Sequence, residues 1–166
     1  MREQADAPNP HQFGSLRQAG GIRRGEVEGM RDILRGIKAA LDAGKIRHWG
    51  LSDDTPWGIH TFLMLCQEMS VPKPVSIQNE FSLLHQKDWP YLIEMCAIED
   101  IAYLPWSPLA TGMLSGKYQN EARPAGSRWT LPQRQGLFRN KPQAQEATAR
   151  YVKLAQDVGI TPAQLA

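Results

Sequence analysis

The stretch "SPLATGMLSGKY" at residues 107–118 follows the apolar run "IAYLPW" and contains serines, two glycines and a lysine. Ser107, Leu109, Gly112, Gly116 and Lys117 form a set that can hold a phosphate through backbone N–H groups and the point charge of a lysine. Their spacing matches neither GxxxxGK[ST] nor GxGxxG, so a plain turn explains the same residues. Ser127 and Arg128, a few residues further on, add a hydroxyl and a guanidinium fork suited to the same phosphates; a solvated arginine is the plainer alternative. Ser52 and Asp53 read either as a turn leading into a helix or as partners for a planar amide. Gln78 and Asn79 are either strand-end amides that satisfy loop backbone or the complementary half of that amide site. Trp106 is a packed aromatic or a platform for a flat ring.

These residues are positioned by alternating elements. From Glu26, the apolar residues Val27, Met30, Ile33, Leu34, Ile37 and Leu41 recur on one helical face, and Gly44 supplies the stop. A strand is expected over residues 46–52. Thr55 and Pro56 then give an N-cap and first turn for a helix with Ile59, Phe62, Leu63, Cys66 and Met69 on its apolar face. A second strand over 74–79 is followed by a helix capped by Asp88 and reaching about Glu99, and a third strand covers 101–107. Helix and strand alternate at the length of a βα unit, which predicts a parallel sheet with right-handed crossovers. The strand ends carrying Ser52, Gln78 and Trp106 then share one rim, where α/β architectures bind ligands.

Residues 119–141 are loose and polar, too long for an ordinary connector. A last helix is expected from Pro142, with Ala147, Tyr151, Leu154, Ala155 and Val158 on one face and Gly159 as its stop. Thr161 and Pro162 begin a further turn. Three parallel strands cannot close a barrel, so the chain is expected to be a small open sheet or, more simply, a piece of a larger one.

Composition points to a soluble globular class. The 166 residues are 42% hydrophobic with a net charge of +2 and no long single-sign block, so neither nucleic acid nor a membrane surface is indicated. Cys66 and Cys96 lie in apolar helical patterns and read as reduced core thiols. With no apolar span and no leader pattern, a cytoplasmic location is expected. The four histidines have no metal-ligand spacing. His48 is expected to pack in the interior and the other histidines to lie at the surface. No nucleophile–base triad or carboxylate pair stands out, so no catalytic residue is assigned.

In combination, "AGKIRHWGLSDDTPWG", "PVSIQNEFSLL" and "PWSPLATGMLSGKY" resemble the aldo-keto reductases, their bacterial Tas-like members above all and, in the last stretch, potassium-channel β subunits. The resemblance covers about residues 26–166 and leaves 1–25 as an irregular N-terminal segment. It implies an α/β fold, part of a (β/α)8 TIM barrel comprising approximately strands five to seven with their flanking helices. It also implies NADPH as cofactor and hydride transfer to a small-molecule aldehyde or ketone. Carried over by motif, Ser52, Asp53 and Gln78 face the nicotinamide carboxamide and Trp106 stacks on the ring. Ser107, Leu109, Gly112 and Lys117 hold the pyrophosphate, with Ser127 and Arg128 on a loop that folds over it. Asp53 departs from the family's usual asparagine, and a carboxylate cannot donate to the carboxamide oxygen. The family's catalytic Asp, Tyr, Lys and His precede the matched region, so the expectation is a fragment inactive alone. The alternative is a noncatalytic nicotinamide-dinucleotide-binding or interaction module.

Overall fold

The computed structural model describes residues 24–131 and 141–166. They form an α/β fold in two compact units. One comprises the described residues up to Asn79 together with Asp88–Leu104; the other comprises Glu80–Lys87 and Pro105–Ala166.

In the first unit, helix α1 (Arg24–Asp42) arises from the apolar spacing read above. Met30 and Leu34 are fully buried and pack with Phe62, Leu65, Cys66 and Val71, and Val27, Ile33, Ile37 and Leu41 line the edges of that cluster. Gly44 ends the helix at φ +67°, its N–H donating to the Leu41 carbonyl.

Strand β1 (Gly50–Ser52) is shorter than the expected 46–52. It pairs in parallel with β2 (Ser76–Glu80) from Gly50↔Ser76 to Ser52↔Gln78. Upstream of Ser76 the opposing chain contains Pro72 and Pro74, which have no N–H to continue a ladder. The Trp49 indole instead donates to the Pro72 carbonyl at 2.7 Å, and His48 is exposed rather than packed. The sheet order is β1-β2-β3, with β3 at Ala102–Trp106.

Helix α2 (Pro56–Met69) starts as expected: the Thr55 hydroxyl accepts the Gly58 N–H and Pro56 occupies the first turn. Its buried arc is wider than one face. Phe62, Leu65 and Cys66 join the α1 cluster, whereas Ile59 joins Ile77, Leu92, Cys96 and Ile101. A helix touching two neighbours buries two flanks, which is why Leu65 is buried while Leu63 and Met69 are only half-buried. Both cysteines are free and buried, and burial pushes the Cys66 thiol up to about 11. Helix α3 (Tyr91–Ile98) has no side-chain N-cap. The Asp88 backbone carbonyl accepts the Leu92 and Ile93 N–H groups, and its carboxylate is engaged elsewhere.

The second unit is built from short 3-10 segments at Ala110–Ser115, Gln119–Glu121 and Arg128–Thr130, followed by helices α4 (Pro142–Asp157) and α5 (Pro162–Leu165). Its core is Ala110, Met113, Leu114, Tyr118 and Trp129. The buried face of α4 is Thr148, Val152 and Ala155, and the expected Leu154 and Val158 are 45% and 57% exposed. Thr148 can be buried because its hydroxyl donates to the Ala144 carbonyl at 2.8 Å, satisfying the polar atom within its own helix. Val152 packs against Gly116. Although only one turn long, α5 is fixed by a capping box in which Thr161 and Gln164 each satisfy the other's backbone N–H. No helix among the described residues is long and apolar enough to cross a membrane.

Candidate functional site

The β1–β2 register sets Ser52 directly beside Gln78. The Ser52 hydroxyl donates to the Gln78 carbonyl at 3.1 Å, and the Asp53 N–H donates to the same carbonyl at 3.0 Å. Asp53 turns the chain off the strand at φ +52°, a left-handed conformation that Asp tolerates better than most residues, and its side chain is exposed. With the Ser52 proton already committed, Ser52 and Asp53 offer acceptors, whereas the exposed Gln78 amide offers N–H donors. Acceptors on one side and donors on the other complement a primary carboxamide.

Asn79 does not share that rim. Successive strand residues face opposite sides, so Gln78 is exposed and Asn79 is buried. The Asn79 amide clasps Asp54, accepting its N–H at 3.2 Å and donating to its carbonyl at 2.8 Å. It also donates to the Asp88 carboxylate at 2.8 Å, and the Tyr103 hydroxyl donates to the same oxygen at 2.8 Å. Burial first, and then the Asp88 hydrogen bond and charge with a contribution from Asp53, hold the Tyr103 phenol well above its usual range. This network pins the turn after β1 to the end of β2. Sequence reading missed it because Asp54, Asn79, Asp88 and Tyr103 share no local spacing. The nearest signal was the buried-face parity of Asn79 in its strand.

In the second unit, Trp106 is half-buried at the end of β3, its carbonyl accepting the Phe81 N–H. Ser107 follows at φ +59° with its hydroxyl accepting the Thr111 N–H at 3.1 Å. The Leu109 carbonyl accepts the N–H groups of Gly112 and Leu114, and the Met113 carbonyl accepts that of Gly116. Ser107, Leu109 and the two glycine N–H groups therefore shape the loop from within. Gly112, at φ +96°, has no Cβ because the stem of Lys117 and the ring of Tyr118 lie where one would sit, about 3.2 Å away. Lys117 Nζ is exposed, 5.2 Å from the Tyr118 ring centroid. Tyr118 stacks on Trp129 with centroids 4.4 Å apart, and the Arg123 guanidinium lies 4.9 Å from the Trp129 ring. Ser127 is buried with its hydroxyl unpartnered, next to the exposed Arg128.

A cleft of about 350 Å³ also opens in this unit, lined among others by Met113, Tyr118, Glu121, Trp129, Glu146 and Thr148. Its charged walls are the carboxylates of Glu121 and Glu146, and Lys117, Ser127 and Arg128 do not line it. No group of three or more His, Cys, Asp or Glu among the described residues is arranged to hold a metal ion.

The family profile described as Aldo/keto reductase family matches residues 5–166. Protein tas of Escherichia coli (strain K12) is 39% identical over 135 residues, covering 81% of this chain and 39% of that protein. Versiconal hemiacetal acetate reductase of Aspergillus parasiticus is 30% identical over 100 residues, covering 60% of this chain and 27% of that protein. A probable voltage-gated potassium channel subunit beta of Arabidopsis thaliana is 27% identical over 142 residues, covering 82% of this chain and 43% of that protein. The chain thus spans about two-fifths or less of the length of these relatives.

Proposed function

This chain belongs to the aldo/keto reductase family, and on that premise we propose that it carries cofactor-holding residues of an NADPH-dependent reductase of aldehydes and ketones. The observation that carries the reading is the pairing of Ser52 with Gln78, which brings acceptors and donors of the right kind for a nicotinamide carboxamide to one strand-end rim. Gln78 would donate to the carboxamide oxygen, and Ser52 and Asp53 would accept from its nitrogen. Trp106 would supply the flat surface for the ring.

For the phosphates, Lys117 and Arg128 supply exposed positive charge and Ser127 a buried hydroxyl in need of a partner. Ser107, Leu109 and Gly112 support them by fixing the loop that carries Lys117. When bound, NADPH would supply the hydride for carbonyl reduction. No residue here is assigned the proton donation to the carbonyl that completes such a reaction. The 166-residue chain is therefore expected to bind without turning over.

Calorimetric titration with NADPH, paired with an NADPH-oxidation assay on aromatic aldehydes, tests this. Micromolar binding without oxidation is expected. Absence of binding, or turnover abolished by a substitution inside this chain, would overturn it. The similarity to a channel beta subunit favours a second reading, a noncatalytic nucleotide-binding or interaction module. Fusing the N-terminal region of a Tas-like relative ahead of this chain separates the two: a reductase fragment gains NADPH oxidation, and a module does not.

A further inference from the structure

We infer that Tyr118 and Trp129 are positioning residues for phosphate binding: their stack brings Lys117, on one side of a connector, to Ser127 and Arg128 on the other. The inference rests on the reading that these three residues meet the phosphates of a nicotinamide dinucleotide.

Between Lys117 and Arg128 the chain forms one 3-10 turn, Gln119–Glu121, and then runs through Ala122–Gly126 without helix or strand. Local backbone preference does not fix the ends of such a connector, and a ligand that had to order them would bind more weakly. Each end, however, has an aromatic as its direct neighbour in the chain. Tyr118 follows Lys117, and Trp129 follows Arg128. The two rings lie within 13° of parallel with centroids 4.4 Å apart, and both side chains are buried, at 7% and 8% exposure. A buried stack of this kind holds the two ends of the connector together before any ligand arrives.

The cations are tied to the same pair. Lys117 Nζ lies 5.2 Å from the Tyr118 ring centroid, and its stem shares with that ring the space that a side chain on Gly112 would fill. The Ser127 carbonyl accepts the Thr130 N–H at 3.0 Å and the Thr130 hydroxyl at 2.7 Å, so Ser127 and Arg128 belong to one closed turn with Trp129. Arg123, within the connector, sets its guanidinium 4.9 Å from the Trp129 ring and pins the intervening chain. Among the described residues none of these three cations is in an ion pair, whereas Arg31, Arg35, Lys38, Arg150 and Lys153 each have a carboxylate partner. The connector's one carboxylate, Glu121, lines the cleft described above. Aromatic contacts hold the positive charge in place without neutralising it, which leaves it available to an anion.

The test is a double-substitution cycle on the full 166-residue chain, read by calorimetric titration with NADPH and accompanied by a melting curve for each variant. Lys117→Gln is expected to weaken binding roughly tenfold by removing a charged contact. Trp129→Leu keeps an apolar side chain but removes the flat face, and is expected to weaken binding roughly threefold to tenfold, whereas Trp129→Phe keeps most of the affinity. If Trp129 acts through Lys117, the losses do not multiply: in the Trp129→Leu background Lys117→Gln is expected to cost only roughly threefold. A role confined to overall stability gives losses that multiply. Arg123→Gln, at an exposed position, makes the same comparison without touching the core, with a loss of roughly twofold alone and less once Lys117 is replaced. Losses that multiply in both cycles, or NADPH binding by Trp129→Leu equal to wild type, would overturn the inference and leave the phosphate reading standing. If Lys117→Gln binds as wild type does, or if NADPH does not bind at all, both fail.

Discussion

The two units resolve their polar groups in opposite ways. In the first, the Asn79 amide makes hydrogen bonds to the Asp54 backbone and the Asp88 carboxylate, and the Ser52 hydroxyl is tied to a backbone carbonyl. Its left-handed non-glycine residues are Asp53 and Asp100, a type that tolerates that backbone comparatively well, and Ser70 at a helix end. In the second, left-handed backbone falls on Ser107, Asn120, Glu121, Ala110 and the β-branched Thr111, while the hydroxyls of Thr111, Tyr118 and Ser127 are buried without partners. An unpaired buried hydroxyl costs about 1–3 kcal/mol, and a strained backbone position a similar amount. A closed network holds the turn next to the groups proposed to meet a small flat amide, whereas strain and unpaired hydroxyls collect in the unit that carries the residues proposed to meet a charged ligand.

The core positions give the largest expected effects. Ile77 in the first unit and Leu114 in the second are almost completely buried, and replacing either by alanine is expected to destabilise by about 3 kcal/mol. Hydrogen exchange read residue by residue shows whether protection is lost only within the altered unit, which would separate the two as folding units.

Asn79→Ala comes next, at about 2 kcal/mol in urea denaturation, because it removes the clasp on the buried turn at Asp54. Asn79→Asp is expected to be worse, placing a second carboxylate against Asp88. A cost near zero for both would mean that the network does not distinguish the first unit.

Thr111→Gly is expected to do the reverse, stabilising by up to about 1 kcal/mol by relieving the left-handed threonine and removing an orphan hydroxyl. The smallest effect is that of Ser127→Ala. It is expected to change the melting temperature little, on the stabilising side, while weakening NADPH binding in the same titration. A marked loss of stability would show that the Ser127 hydroxyl serves the fold.

Features stabilised within a few residues could be read directly from the sequence. The periodicity of α1, the Thr55 cap with Pro56, the Gly44 stop and the capping start at Thr161 each depend on neighbours in the chain, and all stand where expected. The helix–strand alternation and its parallel sheet followed from the same local signals. Asp88 was misassigned as a cap because a residue type suited to capping is equally suited to a distant amide and phenol. On α4, hydropathy selected Leu154 and Val158 over Thr148, since nothing in the pattern shows that a threonine will satisfy its own hydroxyl.

For the candidate site, residue types and strand-end positions pointed to Ser52, Asp53 and Gln78 and to the loop from Ser107 to Lys117, and family resemblance added the cofactor they are proposed to hold. Whether Asn79 joined Gln78 at the rim was decided by which strand face the helices cover, and its partners lie as far as twenty-five residues away in the chain. The stack of Tyr118 on Trp129, which lies beside the stem of Lys117, likewise has no periodic trace. Sequence by itself determined the elements and the chemical types available at their ends, because those depend on local backbone preference and side-chain identity. Tertiary structure alone decided which of these polar groups are satisfied within the protein, because a hydrogen bond between distant residues exists only once packing has brought them within reach.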